Sequence, residues 1–304
     1  MSMENRDRNM QGLEELHSGC CPEAGSDGEW RELCRRCNEL RLAKESWWAR
    51  IVSDPEAVPC VEESAVTMRL RGNAFAEVEL RGPGLQCRIA PEHLLLAHPG
   101  ARTVLGDEAA PQPKLVRNLA DLACSYDHVR RRVCRHEDRR AAILDRLFLR
   151  HSCVLAVDAA LPSGRVDLVA LSAHGTAVFF LLRRYQAGDL RLHGPGGIVW
   201  RMHELNRLLA NEQAMDCWLR DFLERACALE TPHSRRYRPS ANPVVIHPRV
   251  RLLIVDFDHA QRLEGLPSLR ANLEDGLDHG AARGDIHCIG DAGNILYSTF
   301  FSGI

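Results

Sequence analysis

GRVDLVALSAHGTAVFFLLRRY, residues 164–185, decides how the rest of the chain is read. It has the pattern of two apolar strands joined by a turn at Ala173–Gly175, with one acid, Asp167, early in the first and a pair of cations, Arg183 and Arg184, ending the second. Charge placed only at such points in a buried-looking hairpin asks for a chemical reason. Metal-assisted phosphodiester cleavage is one. It needs oxygen ligands to hold a divalent cation against a phosphate, and a nearby cation to orient water and stabilise developing charge. Residues i and i+2 of a strand share a face, so acids on neighbouring strands and a following cation can meet at one sheet edge.

Outward from this hairpin the pattern stays regular. CVLAVDAAL, which contains Asp158, precedes it as a third strand candidate, and a helical signal leads into that strand through RRAAILDRLFLR to about residue 150. Leu115, Leu119, Leu122, Tyr126, Val129 and Val133 step by four and three, which extends the helical signal back to 115 with a kink expected near His136. After the hairpin come helical segments at 198–210 and 213–229 and the loop TPHSRRYRPSANP. VRLLIVDF has the near-continuous apolar run of a central buried strand. Helical LPSLRANLEDGL and the strand candidates DIHCIG and ILYSTFF close the chain. The second half therefore reads α, β, β, β, α, α, β, α, β, β, an α/β order with a mixed sheet.

The first half is of another kind. Residues 1 to about 27 read as a mobile polar segment. Trp30, Leu33, Cys34, Cys37, Leu40, Trp47, Trp48 and Ile51 recur at helical spacing, which predicts one helix with a buried stripe. SAVTMRLRG, AFAEVELRG and LQCRIA are short alternating runs that fit a small antiparallel sheet over roughly 62–96, followed by PEHLLLAHPG, and GARTVLGDEAAPQPK, 100–114, reads as a linker. The division expected is 1–60 for the polar segment and helix, 61–112 for the small sheet and linker, and 113–304 for the main core.

Composition bounds function. With 304 residues, 45% of them apolar, the chain can bury a substantial core. A formal net charge of -2 gives no global attraction to nucleic acid or acidic lipid, so any such binding comes from local clusters. Of the 39 basic residues only Lys44 and Lys114 are lysines, a bias that fits a GC-rich coding sequence as readily as phosphate recognition. No run approaches the ~18 apolar residues of a membrane span and the N-terminus has no apolar signal core, so no membrane role and a cytoplasmic location are expected. The 12 cysteines are scattered through apolar patterns and read as reduced core thiols.

Helix, strand with Asp158, GRVDLVAL, VFFLLRRY and helix together resemble the PD-(D/E)XK nuclease superfamily, and within it a group of uncharacterised bacterial proteins with RxDLVAL followed by a strand ending in FFEAKRY. RLRGNAFAEVEL and HLLLAHPG are similar to the segments that precede that core, so the resemblance covers about residues 65–255. It implies a restriction-endonuclease-like α-β-β-β-α-β core with a mixed sheet, an α+β protein overall once the N-terminal helix and small antiparallel sheet are included. It implies that Asp167 is the metal-binding aspartate. Leu181 then stands where the family has its glutamate, Arg183 where it has its lysine, and Arg201 and Leu205 where it carries a glutamine and a tyrosine. An isobutyl group cannot ligate Mg²⁺, and arginine, with a pKa above ~12, clamps phosphate bidentately but does not act as a base.

Three readings stay open. The site has lost catalysis and binds nucleic-acid phosphate or serves as a scaffold, with Arg183, Arg184 and Arg201 contacting phosphate. Alternatively it cleaves with Mg²⁺ or Mn²⁺ through Asp158, Asp167 and a displaced Glu204 on the following helix. In the third the chain is a structural or protein-interaction module that presents the N-terminal Trp and Cys helix; without the resemblance, Asp167 reads as a strand-end acid in a turn network and Arg183 and Arg184 as snorkelling edge residues. Arg131, Arg135 and Arg139, four apart, would line one helical face as a phosphate-tracking DNA or RNA surface or a solvated one; HSRRYRP, 233–239, is a second basic cluster. CRRC, 34–37, with His17, Cys20 and Cys21, offers tetrahedral zinc ligands, against the simpler role of buried thiols. His136 and His174 fit no HExxH pattern, and HGPGG, 193–197, lacks the lysine of a phosphate-cradling loop and is expected only to turn the chain.

Overall fold

The computed structural model describes residues 25–43, 46–82, 84–89, 103–106, 119–135, 138–237, 244–277 and 284–301. The fold is α+β, with two sheets. The second is the larger. Its strands β6 (Val154–Ala160), β7 (Arg165–Leu171) and β8 (Thr176–Arg184) run antiparallel in sequence order, and β10 (Arg251–Val255) joins parallel to β8, followed by parallel β11 (Ile286–Cys288). The two-residue β9 (Val245–Ile246) pairs with the start of β8. Strands β8 and β10 are buried on both faces, which is why their sequences run apolar without alternation.

Helices cover both faces. Helices α5 (Ile198–Leu209), α6 (Glu212–Ala228) and α7 (His259–Gly276) bury Met202, Leu205, Leu219, Phe222 and Leu269 against the side that carries Val169, Phe179 and Leu181. Helix α4 (Arg139–Arg150) and the short α8 (Tyr297–Phe301) bury Leu144, Leu147, Phe148 and Phe300 against the side that carries Leu168, Phe180 and Leu182. Asp138 caps α4 by accepting from Arg140 N and Ala141 N, so the helical signal over 115–150 is two helices, α3 (Leu119–Val133) and α4. The kink expected at His136 lies outside the described residues.

The first sheet holds five strands where three were expected. β1 (Ala57–Val61), β2 (Ala65–Leu70), β3 (Asn73–Arg81), β4 (Gly84–Ile89) and β5 (Thr103–Gly106) form an antiparallel meander, and β5 falls inside the stretch read as a linker. Residues 90–100, which include PEHLLLAHPG, lie outside the described set. One face of this sheet packs under α1 (Gly25–Leu42), α2 (Trp47–Val52) and α3. The helix expected over 30–51 is broken because Ser46 caps α2, its hydroxyl accepting from Ala49 N at 3.0 Å. The apolar stripe itself is as expected: Trp30, Leu33, Cys37, Trp47, Trp48 and Ile51 are all buried.

Two corrections fall at the C-terminal end. α7 starts at His259 with Asp258 and Gln261 forming a capping box, seven residues before the helical stretch LPSLRANLEDGL, and Pro267 lies inside it. ILYSTFF is not a strand. Thr299 Oγ1 accepts from Leu296 N at 3.1 Å and starts α8, which places Phe300 edge-on to Phe180 at 5.6 Å between ring centres. No helix among the described residues is long and apolar enough to cross a membrane.

The sheets are joined tightly. Arg71 and Gly72, with φ of 50° and 89°, make the two-residue turn between β2 and β3, the left-handed pair that matches strand twist. A Cβ at Gly72 would lie 2.5 Å from Ala142 N, so only glycine lets this turn rest on the first turn of α4. There Gly72 N donates to Asp145 Oδ2 at 2.6 Å and Arg69 Nε to Asp145 Oδ1 at 3.0 Å, with the Arg69 and Asp145 side chains buried. Burial of β1 against β6 adds Cys60, whose thiol donates to Val157 O.

Candidate functional site

Asp167 lies one step past the Leu168↔Phe180 pair of the β7–β8 ladder, beside Leu181 and Leu182. It is 1% exposed. Its Oδ2 accepts from Leu182 N at 2.7 Å and from Arg183 Nη1 at 2.7 Å, and its Oδ1 accepts from Arg140 Nη2. Two guanidiniums and a backbone N–H thus occupy a carboxylate that a metal would need. Leu181 shares the face of Arg183 and is wholly buried among apolar side chains from α5 and α6.

Arg183 is equally committed. Its Nε donates to Asp189 Oδ2 at 2.5 Å and its Nη1 also reaches Leu182 O at 2.8 Å, and with 5% exposure it presents no face to an external phosphate. The expectation that Arg183 contacts phosphate directly is therefore corrected: it is the buried bridge between Asp167 and Asp189. Arg184 donates to Asp256 Oδ2 at 2.7 Å and is half-buried.

Arg201, on α5, is a part-exposed member of the cluster. Its Nη2 donates to the carbonyl of Arg165 at 2.9 Å. Burial, and then the neighbouring Arg183 and Arg140, pull its pKa below the usual guanidinium value, while Asp167 and Asp189 pull the other way. Arg140, Arg183 and Arg201 against Asp167 and Asp189 leave one net positive charge. Arg140 also keeps a buried Nε with no acceptor.

The remaining sequence candidates are elsewhere. Glu204 lies on the exposed side of α5 and accepts from Arg207 at 2.8 Å; it is not among the groups that contact Asp167. Asp158 falls between the Val157↔Leu168 and Ala159↔Val166 pairs, opposite Asp167, but has a left-handed backbone (φ 52°) and gives its carboxylate to Arg69 at 3.1 Å and Arg165 at 3.2 Å. Among the described residues no group of three or more His, Cys, Asp or Glu side chains is placed to hold a metal ion. Arg131 is exposed on α3, Arg135 follows that helix and Arg139 opens α4, so the three do not share one helical face.

Arg236 of the second basic cluster is a structural pin. Its Nη1 donates to Phe148 O at 2.9 Å and Val154 O at 2.7 Å, with the guanidinium 3.9 Å from the Phe148 ring centre. Cys34 and Cys37 are buried, and burial pushes the Cys34 thiol up to about 12 and Cys37 higher still. His17, Cys20, Cys21 and His136 lie outside the described residues, and His174 is an exposed turn residue. Gly194, Gly196 and Gly197 turn the chain into α5, a Cβ at Gly197 falling 2.2 Å from Leu192 O.

Reading the sequence missed Arg140 and Asp189. Arg140 had a signal: counted by three and four it leads to Ile143, Leu144 and Leu147, so it stands on the buried stripe of α4, where a charge needs a partner. Asp189 had none, since a short 3₁₀ turn (Gly188–Arg191) returns it to Arg183. In comparisons with known proteins, no family model, no curated protein and no solved structure matches this chain.

Proposed function

We propose that this protein has a restriction-endonuclease-like frame whose cleavage site has been converted into a phosphate-holding one, and that it binds nucleic-acid backbone without cutting it. What supports the frame is the element order α4, β6, β7, β8, α5 and then β10, with β10 parallel to β8 in a mixed sheet. What carries the functional reading is the state of Asp167: its charge is neutralised by Arg140 and Arg183, and hydrocarbon from Leu181 lies beside it. The half-exposed Arg140 and Arg201 are then the groups available to a phosphate, supported from below by Arg183. Arginine suits this task because its planar fork meets two phosphate oxygens at once.

Filter binding of single- and double-stranded DNA and RNA across a salt series tests the proposal. Affinity falls steeply with salt, and Arg140→Gln with Arg201→Gln flattens the log–log slope by about 1–2 in magnitude, near the counterion release of two phosphate contacts. Absence of binding to every nucleic acid at low salt removes the reading. Strand scission with Mg²⁺ or Mn²⁺ that disappears in Asp167→Ala also removes it, in favour of a working nuclease.

A further inference from the structure

A concave site lies between the two sheets. The strands β2, β3 and β4 turn Val66, Met68, Val78 and Cys87 toward the core beneath α1–α3. Alternation places Thr67, Arg69, Glu77 and Arg88 on the opposite face. Asp158 and Arg165, from the β6–β7 end of the larger sheet, and Glu62, just past β1, close the other side. The cleft so formed measures about 340 Å³ and has Cys60, Ala74 and Ala76 among its apolar lining. That is within the range of small-molecule sites, which favour interfaces between structural units and combine apolar walls with a few convergent polar groups.

The charge of this cleft is its distinguishing property. Arg69, Arg88 and Arg165 face Glu62, Glu77 and Asp158, so formal charge sums to zero while both signs are present at close range. A phosphate dianion meets three carboxylates there, and a simple cation meets three guanidiniums. A molecule with one charge of each sign is attracted at both ends. Within the wall Arg88 pairs with Glu79 and, at 3.9 Å, with Glu77, and Arg69 and Arg165 pair with Asp158; Arg69, nine-tenths buried, still keeps Nη2 without an acceptor, and Glu62 accepts from Arg165 at 3.3 Å, so a ligand exchanges with these pairs at both ends.

We propose that this cleft binds a small zwitterion of amino-acid to dipeptide size, its carboxylate toward Arg69 and Arg88 and its ammonium group toward Glu62 and Glu77. The proposal is independent of nucleic-acid binding, since none of these four side chains belongs to the Arg140–Asp167–Arg183 cluster.

Calorimetric titration of the full chain with the proteinogenic amino acids and glycylglycine identifies the best ligand. Where that ligand is leucine, the comparison set is 4-methylpentanoate, which lacks the ammonium group, and 3-methylbutylamine, which lacks the carboxylate. Saturable binding by the zwitterion and a loss of at least about tenfold with either half-molecule are expected. Glu62→Gln and Arg88→Gln each weaken it by about tenfold, with nucleic-acid binding unchanged. Thermal unfolding of each variant shows whether it is folded, and Thr67→Val, a near-isosteric change on the same wall, serves if Arg88→Gln is not. No saturable binding by any zwitterion overturns the proposal. So does equal binding by the deaminated analogue, which would make the cleft an anion site.

Discussion

Replacing Asp167 by alanine separates a structural carboxylate from a metal-binding one by the sign of the stability change. In an active metal site, clustered acids repel one another in the absence of metal, and removing one stabilises the protein. Here the carboxylate joins Arg140, Arg183 and the Leu182 N–H, all at a position 1% exposed. Its loss leaves Arg183, itself 5% exposed, with Asp189 as its one remaining carboxylate, and leaves a buried N–H without an acceptor. Removing one partner of a buried ion pair costs about 3–5 kcal/mol, and an orphaned backbone donor costs about 1–3 kcal/mol in the same region, so the two overlap and do not simply add. A net loss of about 3–5 kcal/mol follows. At about 2 °C per kcal/mol for a large chain, the midpoint falls by about 6–10 °C in a thermal scan. Asp167→Asn retains an acceptor for Leu182 N and loses less. Both variants respond to added Mg²⁺ as the wild type does. A rise in midpoint for Asp167→Ala, or a Mg²⁺-dependent stabilisation present only in the wild type, would refute the view of Asp167 as the anchor of an arginine cluster.

Burial pulls the pKa values of His233 and His287 down to about 4. Their unfolded-state values lie near 6.5, so the unfolded chain takes up protons first; stability is full above about pH 6.5, falls between about 6.5 and 4, and levels off below, by about 1–2 kcal/mol per partly solvated ring. Urea titrations at stepped pH, with His233→Gln removing its share of the slope, check this. Arg236→Lys, which loses the planar stacking on Phe148 and the Nη2 contact with His233 while a single ammonium must serve both the Phe148 and Val154 carbonyls, lowers stability by about 1–3 kcal/mol and leaves nucleic-acid affinity unchanged. A fall in affinity at equal fold content would instead place the 233–239 cluster at the binding surface. Cys34, Cys37 and Cys87 react with a thiol reagent only on unfolding, and chelators leave the thermal midpoint where it was; release of stoichiometric zinc would restore the metal reading of the CRRC motif.

Much of the fold was legible because period and burial coincide. The three strands around Asp167, and β10, are apolar on both faces and bounded by turns, so their type could not be mistaken. Misreadings arose where local chemistry overrides period. Ser46 and Asp138 cap helices inside what looks like continuous helical spacing. Phe300 and Phe301 have a strand's composition but follow a capped turn. At the candidate site, the apolar run around Leu181 marked it as core, and it is wholly buried. The partners of Asp167 did not, because Arg140 is 27 residues away on a helix crossing the sheet. Likewise, the arginines spaced four apart shared a face only on the assumption of one unbroken helix, which the cap at Asp138 cancels.

The glycine turn that seats β2 and β3 on α4 also bears on where the molecule can be divided. A shortened chain beginning after residue 112 would remove Arg69 and the Gly72 N–H, the two partners of Asp145, and would bare the apolar side chains of α4 and β6 that Val58 and Cys60 cover. Such a fragment would hydrate the acid but expose hydrocarbon on the helix bearing it. The smaller sheet is thus an integral buttress of the larger.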